Sequence, residues 1–139
     1  MKRIRVLVVD DHAVVRGELC ATLETSAHIE VVGKAGDSAG AIAAAQRVRP
    51  DIVLMDVRLP GLNGIEATRR LKRTLPRVRV LMISIHADDQ YVAQSLAAGA
   101  SGYVTKDADP EILVSAILAV NRGELCIPAS PAQQPSLCS

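Results

Sequence analysis

Aromatic residues are nearly absent: the 139 residues include two tyrosines, no tryptophan and no phenylalanine. The densest basic stretch, Arg69, Arg70, Lys72, Arg73, Arg77 and Arg79, therefore holds no aromatic side chain on which nucleic-acid bases would stack, and it reads as a solvated helix face. Excess charge is also missing. A formal net charge of +1 supplies no global field to attract nucleic acid or membrane. Long apolar runs are missing too, since the longest, such as Val6 to Val9 and Val80 to Ile83, fall far below the roughly 18 residues of a membrane span. Met1-Lys2-Arg3 leads directly into a strand-like run ending in Asp10-Asp11, which no secretory signal would tolerate, so a cytoplasmic location is expected. The cysteines, Cys20, Cys126 and Cys138, are odd in number and lack metal-ligand spacing. Neither a disulfide framework nor a zinc site follows, and reduced thiols are expected. His12, His28 and His86 likewise stand apart from ligand spacing and receive no catalytic role.

What is present is hydrophobic residues at 49% of the chain, enough for one compact domain with a sizeable core. Ile4 to Val9 is β-branched and continuously apolar, the pattern of a parallel strand covered on both faces. Val15, Leu19 and Leu23 then mark one face of a helix that finishes near Ser26. A strand is expected over Ile29 to Lys34, followed by an alanine-rich helix with Ser38 as N-cap, running through Val48 and ended by Pro50. Asp51 to Met55 reads as the third strand. Asn63 and Glu66 resemble a capping box for a helix with the stripe Ile65, Leu71 and Leu75, closed by Pro76. Val78 to Ile83, a helix bearing Val92 and Leu96 and ending at Gly99, and Tyr103 to Thr105 follow. Asp109 and Pro110 open a last helix with the stripe Leu113, Ile117 and Val120, stopping at Gly123. Five βα units imply an α/β fold, a doubly wound parallel sheet with helices on both faces. The domain is expected over residues 1–125, with 126–139 a proline-rich linker or disordered tail.

In such a sheet, ligands sit beyond the carboxyl ends of the strands. The residues there are Asp10 and Asp11 after the first strand, Asp56 after the third, Ser84 after the fourth and Lys106 after the fifth. Carboxylates meeting at about 5 Å repel by roughly 3 kcal/mol per pair at an effective dielectric near 20, so a cation is the natural remedy. Oxygen ligands on loops suit Mg²⁺, and Lys106 adds a fixed positive charge. A metal, a lysine, a hydroxyl and a carboxylate are the parts that phosphoryl transfer uses, with Asp56 as the nucleophile. Taken singly, Asp10 or Asp11 reads as a helix cap, Asp56 as a loop acid, Ser84 as a turn former and Lys106 as a surface lysine. Their joint placement at one sheet edge is what favours a site.

The segments VLVVDDHAVVR, DIVLMDVRLPGLNGIEATRRL, VLMISIHADD and AGASGYVTKDA resemble a response-regulator receiver domain of the NarL/FixJ (LuxR-type) subfamily, over roughly residues 3 to 125. The resemblance implies a flavodoxin-like fold of strand order 2-1-3-4-5, an order that the general rule for such sheets already illustrates with a receiver. It implies Asp56 as phosphoacceptor, Asp11 as a direct Mg²⁺ ligand, Asp10 as a water-mediated one and the backbone carbonyl of Arg58 as another ligand. Ser84 and Lys106 would bind the phosphoryl group, and Ser84 with Tyr103 would form the switch, an inward-moving hydroxyl freeing space for the ring. A half-buried strand tyrosine with no switching role is the competing reading of Tyr103.

The implied partner is a sensor histidine kinase, with homodimerisation through the first and fifth or the fourth and fifth helices left open. DNA would be reached only through a helix-turn-helix output domain outside these residues, and no membrane partner is expected. The protein would be a phosphoacceptor with at most self-phosphorylation and autodephosphorylation activity. His86 and Arg58 are candidates for tuning the lifetime of the phosphoryl group. Asp107, where receivers widely have proline, argues against a cis peptide after Lys106. Rival readings are an aspartate-nucleophile phosphatase of the haloacid dehalogenase type, a flavodoxin-type flavin module and a phosphorylation-independent interaction domain. The first needs Asp-x-Asp where this chain has Asp56-Val57-Arg58, and the second needs hydroxyls and glycines in place of Asp10-Asp11-His12.

Overall fold

A computed structural model of the protein describes residues 2–85 and 88–127. The expectations for His86 and for the tail beyond Ile127 lie outside these residues. Strands β1 (Ile4–Val9), β2 (Ile29–Ala35), β3 (Ile52–Asp56), β4 (Arg79–Ser84) and β5 (Gly102–Thr105) form one parallel sheet in the order β2-β1-β3-β4-β5. Helices α1 (Ala13–Glu24), α2 (Ser38–Val48), α3 (Gly64–Thr74), α4 (Asp89–Ala97) and α5 (Pro110–Asn121) alternate with them.

The continuous apolar strands are explained by two cores, one on each face of the sheet. Val6, Val8, Ile52, Leu54, Leu81 and Ile83 pack with α1 and α5 through Leu19, Leu23, Leu113, Ile117 and Val120. The alternate residues Leu7, Val9, Val53, Met55, Val80 and Met82 pack with α2 and α3 through Ala41, Ala44, Ala45, Ile65 and Leu71. Period-two side-chain alternation thus sends every second residue to a different set of helices. Helix α4 is held more loosely: Ser95 is its one fully buried residue, and the expected stripe residues Val92 and Leu96 are half-buried.

Helix ends follow the sequence with a few differences, among them Asp109, which stands at the N-cap of α5 without a side-chain cap hydrogen bond. The N-cap of α2 is Asp37, whose carboxylate accepts from the Gly40 amide at 2.6 Å, rather than Ser38. An acceptor one residue earlier occupies the cap, and the Ser38 hydroxyl accepts instead from the Leu62 amide at 3.1 Å. Asn63 does cap α3, but Glu66 ion-pairs with Arg69 and leaves the box one-sided. Gly99 and Gly123, with φ of 106° and 90°, end α4 and α5 in the left-handed region as expected.

Two members of the basic stretch, Lys72 and Arg79, hydrogen-bond to backbone carbonyls. Lys72 Nζ donates to the carbonyls of Pro76 and Val78 at 2.8 and 2.6 Å. Arg79 Nη1 donates to the carbonyls of Val120 and Asn121, satisfying the end of α5. Charge consequently sorts along the strand direction. Asp37, Asp88 and Asp109 stand at helix N-termini with Glu66 and Asp89 in first turns, whereas Arg47, Lys72 and Arg73 stand in last turns and Arg122 at the α5 C-cap.

After α5 the chain returns to the sheet. Cys126 is buried and bridges Gly102, with the Tyr103 amide donating to its carbonyl at 2.7 Å. Cys20 is a buried free thiol, as expected.

Candidate functional site

Parallel strands deliver the residues that follow them to one edge of the sheet. Asp10 follows β1, Asp56 and Ser84 end β3 and β4, and Lys106 follows β5. The ladder pairs Asp56 with Ile83 and Ser84 with Thr105, which keeps these ends level. One carboxylate oxygen from each of Asp10, Asp11 and Asp56 lies within 4.8 Å of the other two. Asp10 and Asp56 are buried, and Asp11 is exposed. A cleft of about 660 Å³ opens over them, with Asp11, His12, Asp56, Arg58, Ser84 and Lys106 among its lining residues.

Neither acid of the Asp10-Asp11 pair caps α1. His12 does, its Nδ1 accepting from the Val15 amide at 3.4 Å, while its own amide donates to Asp10 Oδ1 at 2.9 Å. The place of His12 between the acid pair and the helix is the sequence signal for an N-cap. Asp11 is thereby left facing the cleft, while Asp10 is buried beneath it. Lys106 Nζ donates to Asp56 Oδ2 at 2.9 Å and stands 2.8 Å from Asp10 Oδ2. The second contact is an ion pair by distance whose angles miss hydrogen-bond geometry, so Asp10 Oδ2 is a buried oxygen without a hydrogen bond.

Burial is the main influence on Asp56 and raises its carboxyl above the usual range. The Lys106 ammonium and the Arg58 amide, which donates to Oδ1 at 3.1 Å, pull it back, and the Asp10 charge raises it further. Burial also works against the charge on Lys106, but its close contacts with the Asp10 and Asp56 carboxylates outweigh that, and the ammonium is held above its ordinary value. Two of the three acids, Asp10 and Asp56, thus share one ammonium. The donor set is entirely oxygen and contains a buried oxygen lacking a hydrogen bond, features that fit a hard divalent cation of the Mg²⁺ kind.

Tyr103 is fully buried in the core under α3 and α4. Burial raises its phenol, and a hydrogen bond with the Ser84 side chain acts in the opposite direction. The ring is therefore not half-buried on the strand, as one reading had it. It already occupies the interior next to Ser84. Sequence reasoning also missed Gly64. A Cβ there would stand 1.9 Å from the Asp56 carbonyl oxygen, so the start of α3 can lie against the end of β3 only without a side chain. The Asn63-Gly64 pair at a helix start was its signal.

The arrangement, acids and lysine converging at the carboxyl edge of a 2-1-3-4-5 sheet, has a counterpart among known proteins. The family model for the response regulator receiver domain matches residues 6–118, and the chain belongs to that family. Response regulator GacA of Pseudomonas aeruginosa is 40% identical over 136 residues, covering 98% of this chain and 64% of that protein. Response regulator UvrY of Escherichia coli is 40% identical over 134 residues, 96% of this chain and 62% of that protein. The chain therefore spans less than two thirds of the length of these relatives. Among solved structures, the receiver domain of the response regulator NarL from Mycobacterium tuberculosis superposes with a TM-score of 0.85 at 34% identity, covering 88% of this chain and 99% of that one. A LuxR-family response regulator from Aurantimonas sp. gives 0.87 at 38% identity, covering 94% and 92%. Within the receivers, this one is of the NarL/FixJ type. It is a signalling domain of two-component systems rather than an enzyme of the ordinary kind, and the cluster of Asp10, Asp11 and Asp56 is the acidic pocket at which receivers bind Mg²⁺. Among the described residues, no helix is long and apolar enough to cross a membrane.

Proposed function

We propose that residues 1–125 form a cytoplasmic receiver that accepts one phosphoryl group on Asp56 from a sensor histidine kinase and passes the change to a transcriptional output domain. The observation that carries this reading is the Asp56 carboxylate, within 4.8 Å of two other acids and 2.9 Å from the Lys106 ammonium, at the floor of an open cleft. In the reaction an Asp56 oxygen attacks phosphorus in line, the bond from phosphorus to the donor's nitrogen or oxygen breaks, and the donor leaves with that electron pair. Lys106 neutralises the phosphoryl oxygens. Asp11, Asp56, the Arg58 carbonyl and, through water, Asp10 hold Mg²⁺, whose chemistry is to offset the charge of the carboxylates and the incoming group. Autophosphorylation from small donors and autodephosphorylation are the limit of its catalysis.

The Ser84–Tyr103 hydrogen bond supports a switch by exchange of partners. A new dianion on Asp56 draws the Ser84 hydroxyl away from the phenol, and the loosely packed α4 above Tyr103 adjusts. Tyr103 ring resonances are expected to shift when the phosphoryl group is added. Identical resonances in the free and phosphoryl-analogue-bound forms would remove the switch and leave the phosphoacceptor intact.

The test of the main reading is incubation with acetyl phosphate and Mg²⁺, read as intact mass. A gain of one phosphoryl group is expected, and chelation of the metal abolishes it. Absence of the adduct in protein shown separately to bind Mg²⁺ would favour a phosphorylation-independent interaction domain.

A further inference from the structure

The carbonyl of Asp10 lies just past the end of β1, beyond the ladder that β2 supplies. The Asp10 amide still pairs with the Ala35 carbonyl at 3.0 Å, and then β2 stops. Arg16, a half-buried residue in the first turns of α1, takes over: its Nη1 donates to the Asp10 carbonyl at 2.8 Å. Room for the guanidinium comes from Gly36, where a Cβ would stand 3.2 Å from Nη1.

This contact acts on two acids at once. The peptide joining Asp10 to Asp11 is planar, so holding the Asp10 oxygen fixes the direction in which the Asp11 backbone departs. The Asp10 side chain is meanwhile fixed through Oδ1 by the His12 amide at 2.9 Å, which leaves Oδ2 as the oxygen without a hydrogen bond. Amide, carbonyl and side chain of Asp10 are thus each held by a different segment: β2, α1 and the α1 cap. We infer that Arg16 is a positioning residue that orients the Asp10-Asp11 pair for Mg²⁺ without touching the metal or the phosphoryl group. The inference rests on the receiver reading above. Partners that orient metal ligands from behind typically carry a 10- to 100-fold effect on metal affinity, which sets the scale expected.

The experiment compares the parent, Arg16→Met and Arg16→Lys by calorimetric titration with Mg²⁺ alone, and by amide hydrogen exchange in chelator. Arg16→Met keeps an apolar stem and loses the donor. It is expected to weaken Mg²⁺ binding about tenfold, and Arg16→Lys, which keeps a cationic donor, recovers part of that loss. In the metal-free protein the His12 amide exchanges faster in Arg16→Met while amides of β3 keep their protection. Unchanged Mg²⁺ affinity in Arg16→Met, with the parent binding normally, would overturn the inference and leave the receiver reading standing. Loss of protection at His12 and throughout β3 in equal measure would overturn it by showing a general structural role. A parent that binds no Mg²⁺ would remove the receiver reading and the inference with it.

Discussion

Asp56→Asn is expected to take up no phosphoryl group from acetyl phosphate and Mg²⁺, and yet to be more stable than the parent in metal-free buffer at neutral pH. The loss is complete because the amide nitrogen and oxygen of Asn provide no anionic nucleophile. The gain in stability follows from the site's electrostatics. Burial raises the Asp56 carboxyl in the folded protein. A carboxyl so raised binds its proton more tightly folded than unfolded, so the stability associated with that proton is full below the unfolded pKa and is lost as pH rises through the folded one. At neutral pH the ionised Asp56 is therefore a net burden on the metal-free fold. Relieving its repulsion by Asp10 is worth roughly 3 kcal/mol at an effective dielectric near 20, and losing the bond to Lys106 offsets part of this at about 1.5–3 kcal/mol. A net gain on the order of 1 kcal/mol is expected from urea unfolding, shrinking as pH is lowered through the raised range in which the folded parent's Asp56 takes up its proton. Added Mg²⁺ reverses the ranking by stabilising the parent more than the variant. Equal metal-free stability of the two proteins across this pH range would contradict the account of the acid cluster.

Gly64→Ala is expected to be among the most damaging single changes in the domain. The added methyl would meet the Asp56 carbonyl oxygen at 1.9 Å and the Met55 side chain at 3.1 Å. Neither the backbone of a central strand nor a buried neighbour can retreat cheaply, because α3 is fastened here by the Gly64 amide donating to the Val57 carbonyl at 2.7 Å. Overpacking of this kind costs about 1–3 kcal/mol where side chains can give way, and more where backbone must move. A loss of roughly 3 kcal/mol or more in urea unfolding is expected, with weakened Mg²⁺ binding in whatever fraction folds. A loss below about 1 kcal/mol would mean that α3 can shift off the strand without consequence.

The contrast between these two residues shows what a sequence can convey. Asp56 was legible because its place is local: it ends an apolar run, and the rule for open parallel sheets directs attention to that position. Asp10, Asp11, Ser84 and Lys106 were legible for the same reason, and the five βα units because β-branched runs, caps and prolines mark their limits one by one. Gly64 was not, since its need arises from a backbone contact eight residues away in the chain. Arg16 carries no signal in the sequence, because its contact depends on β2 stopping short of the Asp10 carbonyl. Asp37 displaced Ser38 as a cap because two good acceptors stood side by side, and only the position of Leu62 decides which is used. The burial of Tyr103 depended on α4 lying over it, and the return of Cys126 to β5 on the path after the last helix. Each of these is a relation between distant segments.

The sorting of acids to one end of the helices and bases to the other leaves its mark at long range. A net charge of +1 suggests an electrically quiet particle. With Asp37, Asp88 and Asp109 at one pole and Arg47, Arg73, Arg79 and Arg122 towards the other, the domain is instead a dipole along its strands. A charged partner will meet it in a preferred orientation before any contact forms, turned towards or away from the cleft by the field alone. That pre-alignment acts on the rate of encounter rather than on the strength of the final complex, and it fades as salt shortens the reach of the field to about 8 Å at physiological ionic strength.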